Sequence, residues 1–321
     1  MSQNKIFTQF KIATMKNVKW TGVYPAVTSK FHENGDLDVP TFLKNINAQI
    51  DAGVDGIIIG GSLGESSTIT HEERIEMAEA VLGLGTTTDV IVNIAEGSTR
   101  SAIALAQKAQ DAGAHGLMVL PPMMYKPLDA ETTDFFRTVA LNTDLPILLY
   151  NNPVDYKIEI KMDMLEELCK LPNIQAIKES TRDISNVTRM KNRFGDRIKI
   201  LCGVDTLAME ELLMGADGWV AGLVDAFPAE TVAIYRLVKA GRIQEALEIY
   251  RWFLPILELD ISAQLVQNIK LAEVMTGLGT EHVRAPRQPL KGAERKRVIA
   301  ILEEGLAKRP TLPDYLSIEV A

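Results

Sequence analysis

The segment DAGVDGIIIGG at 51–61 returns as DAGAHGLMVLPP at 111–122, and a looser copy, MGADGWVAGL, stands at 214–223. Each copy reads as a helix end, a glycine turn and an apolar strand, so the recurring unit is αβ. A chain that repeats this unit builds a parallel sheet, because parallel neighbours need a crossover between them. Further apolar runs complete the count: GVYPAV (22–27), VIVNIA (90–95), PILLYNN (146–152), IQAIKES (174–180) and IKILCG (198–203) join GIIIGG (56–61), GLMVLPP (116–122) and GWVAGL (218–223). These runs are nearly continuous in hydrophobicity rather than alternating, as strands covered on both faces are. Eight of them with helices between predict an α/β fold, a (β/α)₈ TIM barrel.

The intervening segments carry helical spacing, as in TFLKNINAQIDAG (41–53) and SAIALAQKAQDAG (101–113). Ser98 is placed to cap the second of these and Gly113 to end it. Thr70 with Glu73 predicts a capping box. A doubly wound sheet is the structural competitor, but GGSLGE (60–65) lacks GxGxxG spacing and no GxxxxGK[ST] occurs. After about residue 240 the pattern turns helical, through IQEALEIYRWFLPILELD (243–260), SAQLVQNIKLAEVMTGLG (262–279) and AERKRVIAILEEGLAKR (293–309). The expected organisation is a tail over 1–17, a barrel over 18–240 and a C-terminal helical extension over 241–321 of the same domain.

Composition narrows the function classes. A formal net charge of −8 and the lack of a Lys/Arg block argue against nucleic acid and point to a small-molecule partner. Cys169 and Cys202 are the two cysteines, without CxxC spacing, and His32, His71, His115 and His282 are scattered. Neither a disulfide framework nor a metal site is expected, and a reducing cytoplasm fits. No run approaches the roughly 18 apolar residues of a membrane span, so no membrane partner is expected.

In a barrel, chemistry gathers where strand C-termini meet the following loops. The polar residues so placed are Ser62, Glu65, Tyr150, Asn151, Asn152, Lys178, Glu179 and Asp205. Ile174, Ala176 and Lys178 share one strand face by period two, which aims the amine at the barrel mouth. Burial there disfavours the ammonium and frees a lone pair to attack a carbonyl or imine carbon. Against this stands a lysine that snorkels into water or pairs with Glu179. Tyr150 is placed to shuttle protons beside such an amine, or to plug the core with its hydroxyl bonded. Ser62 sits in a glycine-rich turn whose N–H groups suit a carboxylate. Glu65 is expected to have a structural role, binding backbone N–H groups of its own loop.

Together GGSLGES, LLYNNP and IKES resemble the signature of the dihydrodipicolinate synthase / N-acetylneuraminate lyase superfamily, with the likeness running over about 18–310. The resemblance implies a barrel with a helical extension, usually a homotetramer, that forms a Schiff base between lysine and a 2-oxo acid without a cofactor. It implies Lys178 as the Schiff-base lysine and Tyr150 as the relay tyrosine. Ser62 and the N–H of Leu63 then hold the substrate carboxylate, with further substrate contacts at Gly61, Gly203 and Val220. Dihydrodipicolinate synthases keep an arginine where YNNPVDY has Asp155, and a relay tyrosine where PPMMYKP has Met124, with Tyr125 one residue on. An anion at Asp155 is expected to repel a second substrate's carboxylate. WTGVYPAVTSKFHENGDLD (20–38), PPMMYKP, YRWFLPILELDISAQLVQNIKL (250–271) and RPTLPD (309–314) resemble Δ1-pyrroline-4-hydroxy-2-carboxylate deaminases more closely. The expected activity is that deamination. A 2-keto-3-deoxy sugar acid dehydratase or aldolase, a dihydrodipicolinate-synthase-like enzyme, and a non-enzymatic 2-oxo acid-binding regulator stand as alternatives.

Overall fold

The computed structural model describes residues 18–320, so the tail over 1–17 lies outside the described residues. Eight parallel strands form the sheet: β1 (Gly22–Pro25), β2 (Gly56–Ile59), β3 (Asp89–Ile94), β4 (Gly116–Val119), β5 (Ile147–Asn151), β6 (Ile174–Glu179), β7 (Lys199–Cys202) and β8 (Gly218–Ala221). The order β1-β8-β7-β6-β5-β4-β3-β2 leaves only the β1–β2 seam to close. A bridge between Ala26 and Ile58 closes it, with Val27 N–H donating to the Ile58 carbonyl at 3.1 Å. This is the (β/α)₈ TIM barrel that the repeats predict. Nearly every strand residue is buried, which is why the strands read as unbroken apolar runs.

The outer layer begins with α1 (Val39–Asp51), α2 (His71–Leu82), α3 (Thr99–Asp111) and α4 (Asp129–Ala140). Local chemistry sets their ends. Thr70 and Glu73 form a reciprocal capping box on α2, and Ser98 accepts from Ser101 N–H at the start of α3. Gly113, one residue past the Ala112 C-cap, takes a φ of +92°, a conformation that costs a Cβ-bearing residue dearly. Between β5 and β6 the chain makes a single turn, α5 (Pro153–Tyr156), before α6 (Met162–Leu168). Asn152 caps that turn by accepting from Asp155 N–H, and Lys157 ends it in the left-handed region. The circuit continues through α7 (Ser185–Phe194), α8 (Ala208–Leu213) and α9 (Pro228–Lys239).

Three more helices follow: α10 (Ile243–Leu257), α11 (Leu265–Thr276) and α12 (Gly292–Ala307). α10 packs on α9, and Phe253 stacks with Trp252 and meets Phe227 edge-on at 5.3 Å. Fully burying a side chain such as Phe253 stabilises by about 1.5–3 kcal/mol. A 3-10 turn at Glu258–Ile261 then brings the chain over the mouth of the barrel. No helix among the described residues is long and apolar enough to cross a membrane.

Candidate active site

The barrel mouth holds a cavity of about 230 Å³, lined by Ser62, Tyr150 and Lys178 together with Gly61, Leu63, Gly203 and Val220. These seven residues come from strands β2, β5, β6, β7 and β8 or the loops just beyond them, so closing the barrel is what brings them together. Tyr150 and Lys178 are direct partners in the β5–β6 register. The Lys178 amine lies over the Tyr150 ring, 4.2 Å from its centroid. Gly203 makes room for that arrangement. A Cβ there would meet Lys178 Cε at 2.6 Å and Ser180 Oγ at 2.2 Å, so any other residue displaces the amine.

Lys178 is 6% exposed and has no carboxylate within ion-pair distance among the described residues. Glu179, the sequence neighbour that could have neutralised it, points elsewhere and bonds Thr181 N–H, Asn151 and Asn186. Removal from water holds the amine below the ordinary lysine range, against the pull of Tyr156, Asp260 and Asp205. Tyr150 is pushed up to about 12, chiefly by burial, while Asn152 and Ser180 beside its hydroxyl favour the phenolate. Asn152 Nδ2 donates to Tyr150 Oη at 3.2 Å. The Ser180 hydroxyl is buried on the cavity wall beside the Tyr150 hydroxyl.

Three further residues line the cavity that motif reading passed over: Tyr156, Arg182 and Asp260. Tyr156 ends the α5 turn. Its hydroxyl makes a short hydrogen bond with Ser62 Oγ, and its ring meets Tyr150 edge-on at 5.6 Å. Ser62, Tyr156 and Tyr150 thus form one contiguous hydroxyl-bearing wall. Tyr125, by contrast, is exposed and does not line the cavity, and Met124 beside it is 81% exposed.

Asp155 does line the cavity, but it is not the bare anion expected from YNNPVDY. Arg182 stands 3.8 Å from it, and Asn152 Nδ2 donates to it at 2.8 Å. The charge that was expected to repel a carboxylate is offset by a guanidinium on the same wall. Arg182 holds a φ of +64°, an unfavourable region for a Cβ-bearing residue and one often found at functional sites.

Two sequence candidates have structural partners instead. Asp205 accepts from Trp219 Nε1 and from the N–H groups of Gly222 and Leu223, and so pins the loop after β8. Glu65 does not bind its own loop: its carboxylate pairs with Lys270 of α11 at 2.6 Å and accepts from Arg284 N–H. The physical reason is that a fully buried carboxylate needs a cation, and Lys270 supplies it.

A (β/α)₈ barrel with an amine-bearing pocket at its strand C-termini has the architecture of a barrel enzyme. The chain belongs to the dihydrodipicolinate synthetase family, whose sequence model matches residues 19–305. Among curated proteins it is 29% identical over 282 residues to the 4-hydroxy-tetrahydrodipicolinate synthase of Methanothrix thermoacetophila, covering 88% of this chain and 95% of the relative. It is 30% identical over 273 residues to the protein of that name from Haloarcula marismortui, covering 85% and 89%. Among solved structures, the 4-hydroxy-tetrahydrodipicolinate synthase of Methylacidiphilum fumariolicum SolV superposes with a TM-score of 0.84 at 30% identity, over 90% of this chain and 97% of that one. A dihydrodipicolinate synthase from Aquifex aeolicus gives 0.84 at 28% identity, over 88% and 97%.

Proposed function

We propose that this protein is a Schiff-base enzyme in which Lys178 attacks the carbonyl or imine carbon of a small 2-oxo acid or cyclic imine carboxylate. The observation that carries this reading is the Lys178 amine: buried, without a carboxylate partner, and laid over Tyr150 in a cavity open to substrate. A lysine so desolvated is a nucleophile near neutral pH. Ser62 and the N–H of Leu63 hold the substrate carboxylate, with Gly61, Gly203 and Val220 shaping the pocket. The protonated Schiff base then withdraws electrons, so a proton on the adjacent carbon becomes acidic. Tyr150 moves that proton, and Tyr156 and Ser62 extend the path along which it travels.

Two finer readings differ in the fate of the resulting enamine. For a 4-hydroxy-pyrroline-2-carboxylate, attack of Lys178 at C2 and imine exchange open the ring and leave a free amine at C5. Loss of the C3 proton gives an enamine whose electrons expel the C4 hydroxyl as water. The product tautomerises to a C5 imine. Hydrolysis of that imine and of the lysine Schiff base takes up two waters and releases ammonia and 2,5-dioxopentanoate. Asp155 in place of an arginine supports this deaminase reading. The second reading is a condensing synthase, in which the enamine adds to an aldehyde that bears its own carboxylate. The names of the matched relatives favour it, and Arg182 beside Asp155 supplies a cation for that carboxylate. The exposed Met124, Tyr125 and Leu128 support an assembly, a homotetramer on this reading, in which another copy covers that loop.

Borohydride added with pyruvate or the pyrroline should fix mass irreversibly on Lys178, and Lys178→Ala should remove the adduct. Trapping at another lysine, or none, sinks the Schiff-base reading. Ammonia released from the pyrroline selects the deaminase, and its absence alongside condensation of pyruvate with a carboxylated aldehyde selects the synthase.

A further inference from the structure

The wall of the cavity formed by β8 and the turn after α10 carries an acid with no part in the proton path through Tyr150. Asp260 lies in the Glu258–Ile261 turn and lines the same cavity as Lys178. It reaches the site across Gly222: a Cβ on that glycine would stand 2.8 Å from Asp260 Oδ1 and 3.0 Å from Leu63 Cδ1. The carboxyl group is therefore seated beside Leu63, next in sequence to Ser62, over a position kept bare of side chain. Among the described residues its carboxylate takes part in no hydrogen bond and no ion pair.

Its neighbours set its protonation. Burial comes first and the Asp205 carboxylate second in pushing Asp260 well above the ordinary carboxylate range, with Lys178 and Arg182 opposing. Asp155, which also lines the cavity, adds to the upward push. Asp205 itself is occupied by Trp219 and by the Gly222 and Leu223 N–H groups, so it is not free to leave and make room for a second charge. A carboxyl group held above its ordinary range, facing a cavity and without a hydrogen-bond or ion-pair partner among the described residues, is placed to give a proton to an acceptor in that cavity.

We infer that Asp260 is the catalytic acid for the substrate oxygen carried on the carbon two beyond the Schiff-base carbon. This inference rests on the Schiff-base reading of Lys178 and holds for both of its finer forms. In elimination, the C3–C4 double bond forms from the enamine electrons, the C4–O bond breaks, and the departing oxygen takes the Asp260 proton as water. In condensation, the enamine carbon bonds to the aldehyde carbon, the C=O π electrons pass to oxygen, and that oxygen takes the same proton as a hydroxyl. Water then restores the proton to Asp260. The steps at C2 and C3 need no such group, which separates Asp260 from Lys178 and Tyr150.

That separation is the test. Pyruvate has no oxygen beyond C2 apart from its carboxylate, so borohydride trapping with pyruvate and exchange of its methyl protons in deuterated water report on Lys178 and Tyr150 alone. Turnover of 4-hydroxy-1-pyrroline-2-carboxylate, and condensation of pyruvate with a carboxylated aldehyde, report on the distal oxygen as well. Asp260→Asn should keep trapping and methyl exchange within about twofold of the parent protein. It should lose on the order of 10²-fold or more of whichever distal reaction the parent performs. Asp260→Glu should recover part of that loss. Unchanged distal turnover in Asp260→Asn overturns the inference, and so does a loss of trapping and exchange as large as the loss of turnover. Failure of trapping in the parent protein sinks the Schiff-base reading itself, which normal trapping with an unaffected Asp260→Asn does not.

Discussion

Lys178 and Lys270 are both buried and have opposite surroundings. Lys270 of α11 pairs with Glu65 at 2.6 Å and donates to the His282 carbonyl at 2.6 Å. Its neighbour Lys30 is held in the same manner by Glu273, Thr28 Oγ1 and the Thr28 carbonyl. Both amines lie over an aromatic ring, Phe31 for Lys270 and Tyr150 for Lys178, but Lys178 faces a cavity and has no carboxylate in contact among the described residues. The difference teaches that burial alone does not make a lysine reactive. A buried lysine with a carboxylate partner is a structural cation; one without is a nucleophile or a liability. Lys270 and Glu65 also fix the second of the strand-end loops, because Glu65 sits at a φ of +54° in the segment that presents Ser62.

The sharpest way to break the comparison is to make the same change at both lysines. Lys270→Met leaves the Glu65 carboxylate buried without its main partner and should cost about 3–5 kcal/mol of stability, read by denaturant unfolding. Lys178→Met removes an amine that no carboxylate among the described residues pairs with, and should change stability by no more than about 1 kcal/mol while abolishing borohydride trapping. Similar losses at the two positions would show that Lys178 has a structural partner after all.

How much of this was legible in the sequence depends on what fixes each residue's place. The barrel was legible because its unit repeats, and because strands covered on both faces leave unbroken apolar runs. The place of Lys178, Tyr150 and Ser62 at the barrel mouth, though not their roles, is legible because position at a strand end is a one-dimensional property once the strands are counted. Tyr156 and Arg182 sit on turns, where orientation depends on local φ and ψ. The Asn152–Asp155 spacing marks a capped turn and was the available signal for Tyr156. Asp260 had no signal of that kind. It enters from the segment after α10, and tertiary packing of its turn against α10, α11 and the segment after β7 sets where it lands. The loop position of Glu65 points to a structural role, but its cation comes from residue 270, a distance along the chain that no local pattern spans.

The next effect in size concerns the aromatic beneath the free lysine. Tyr150→Phe keeps the ring under the amine and removes only the hydroxyl. Lys178 should still be trapped, whereas methyl exchange from pyruvate should slow by about 10²-fold, equivalent to about 2.7 kcal/mol of barrier. The phenylalanine also loses the Asn152 hydrogen bond, so a melting curve separates a fold effect from a proton-transfer effect. Exchange at the parent rate would assign the proton to another group on the wall, Tyr156 being the adjacent one.

The last test, read across pH, concerns the acid counterpart of the paired and unpaired lysines. Glu65 is buried with cations around it, whereas Glu211 in α8 is buried with both carboxylate oxygens unpartnered. Burial, reinforced by Glu179 and Glu210, pushes Glu211 up to about 8. Because its folded-state pKa lies above that of the unfolded chain, the stability it contributes is full in acid, where both states are protonated. It is lost as pH rises from the ordinary glutamate range through about 8. Glu211→Gln has no proton to lose and should therefore gain on the parent protein as pH rises. The gain should be near zero at about pH 4 and should widen steadily as pH rises towards 8, read as a growing Tm difference between the two proteins. A Tm difference that stays constant across that range would mean that Glu211 ionises alike in the folded and unfolded chains. The distinction between paired and unpaired buried charges would then fail on the acid side.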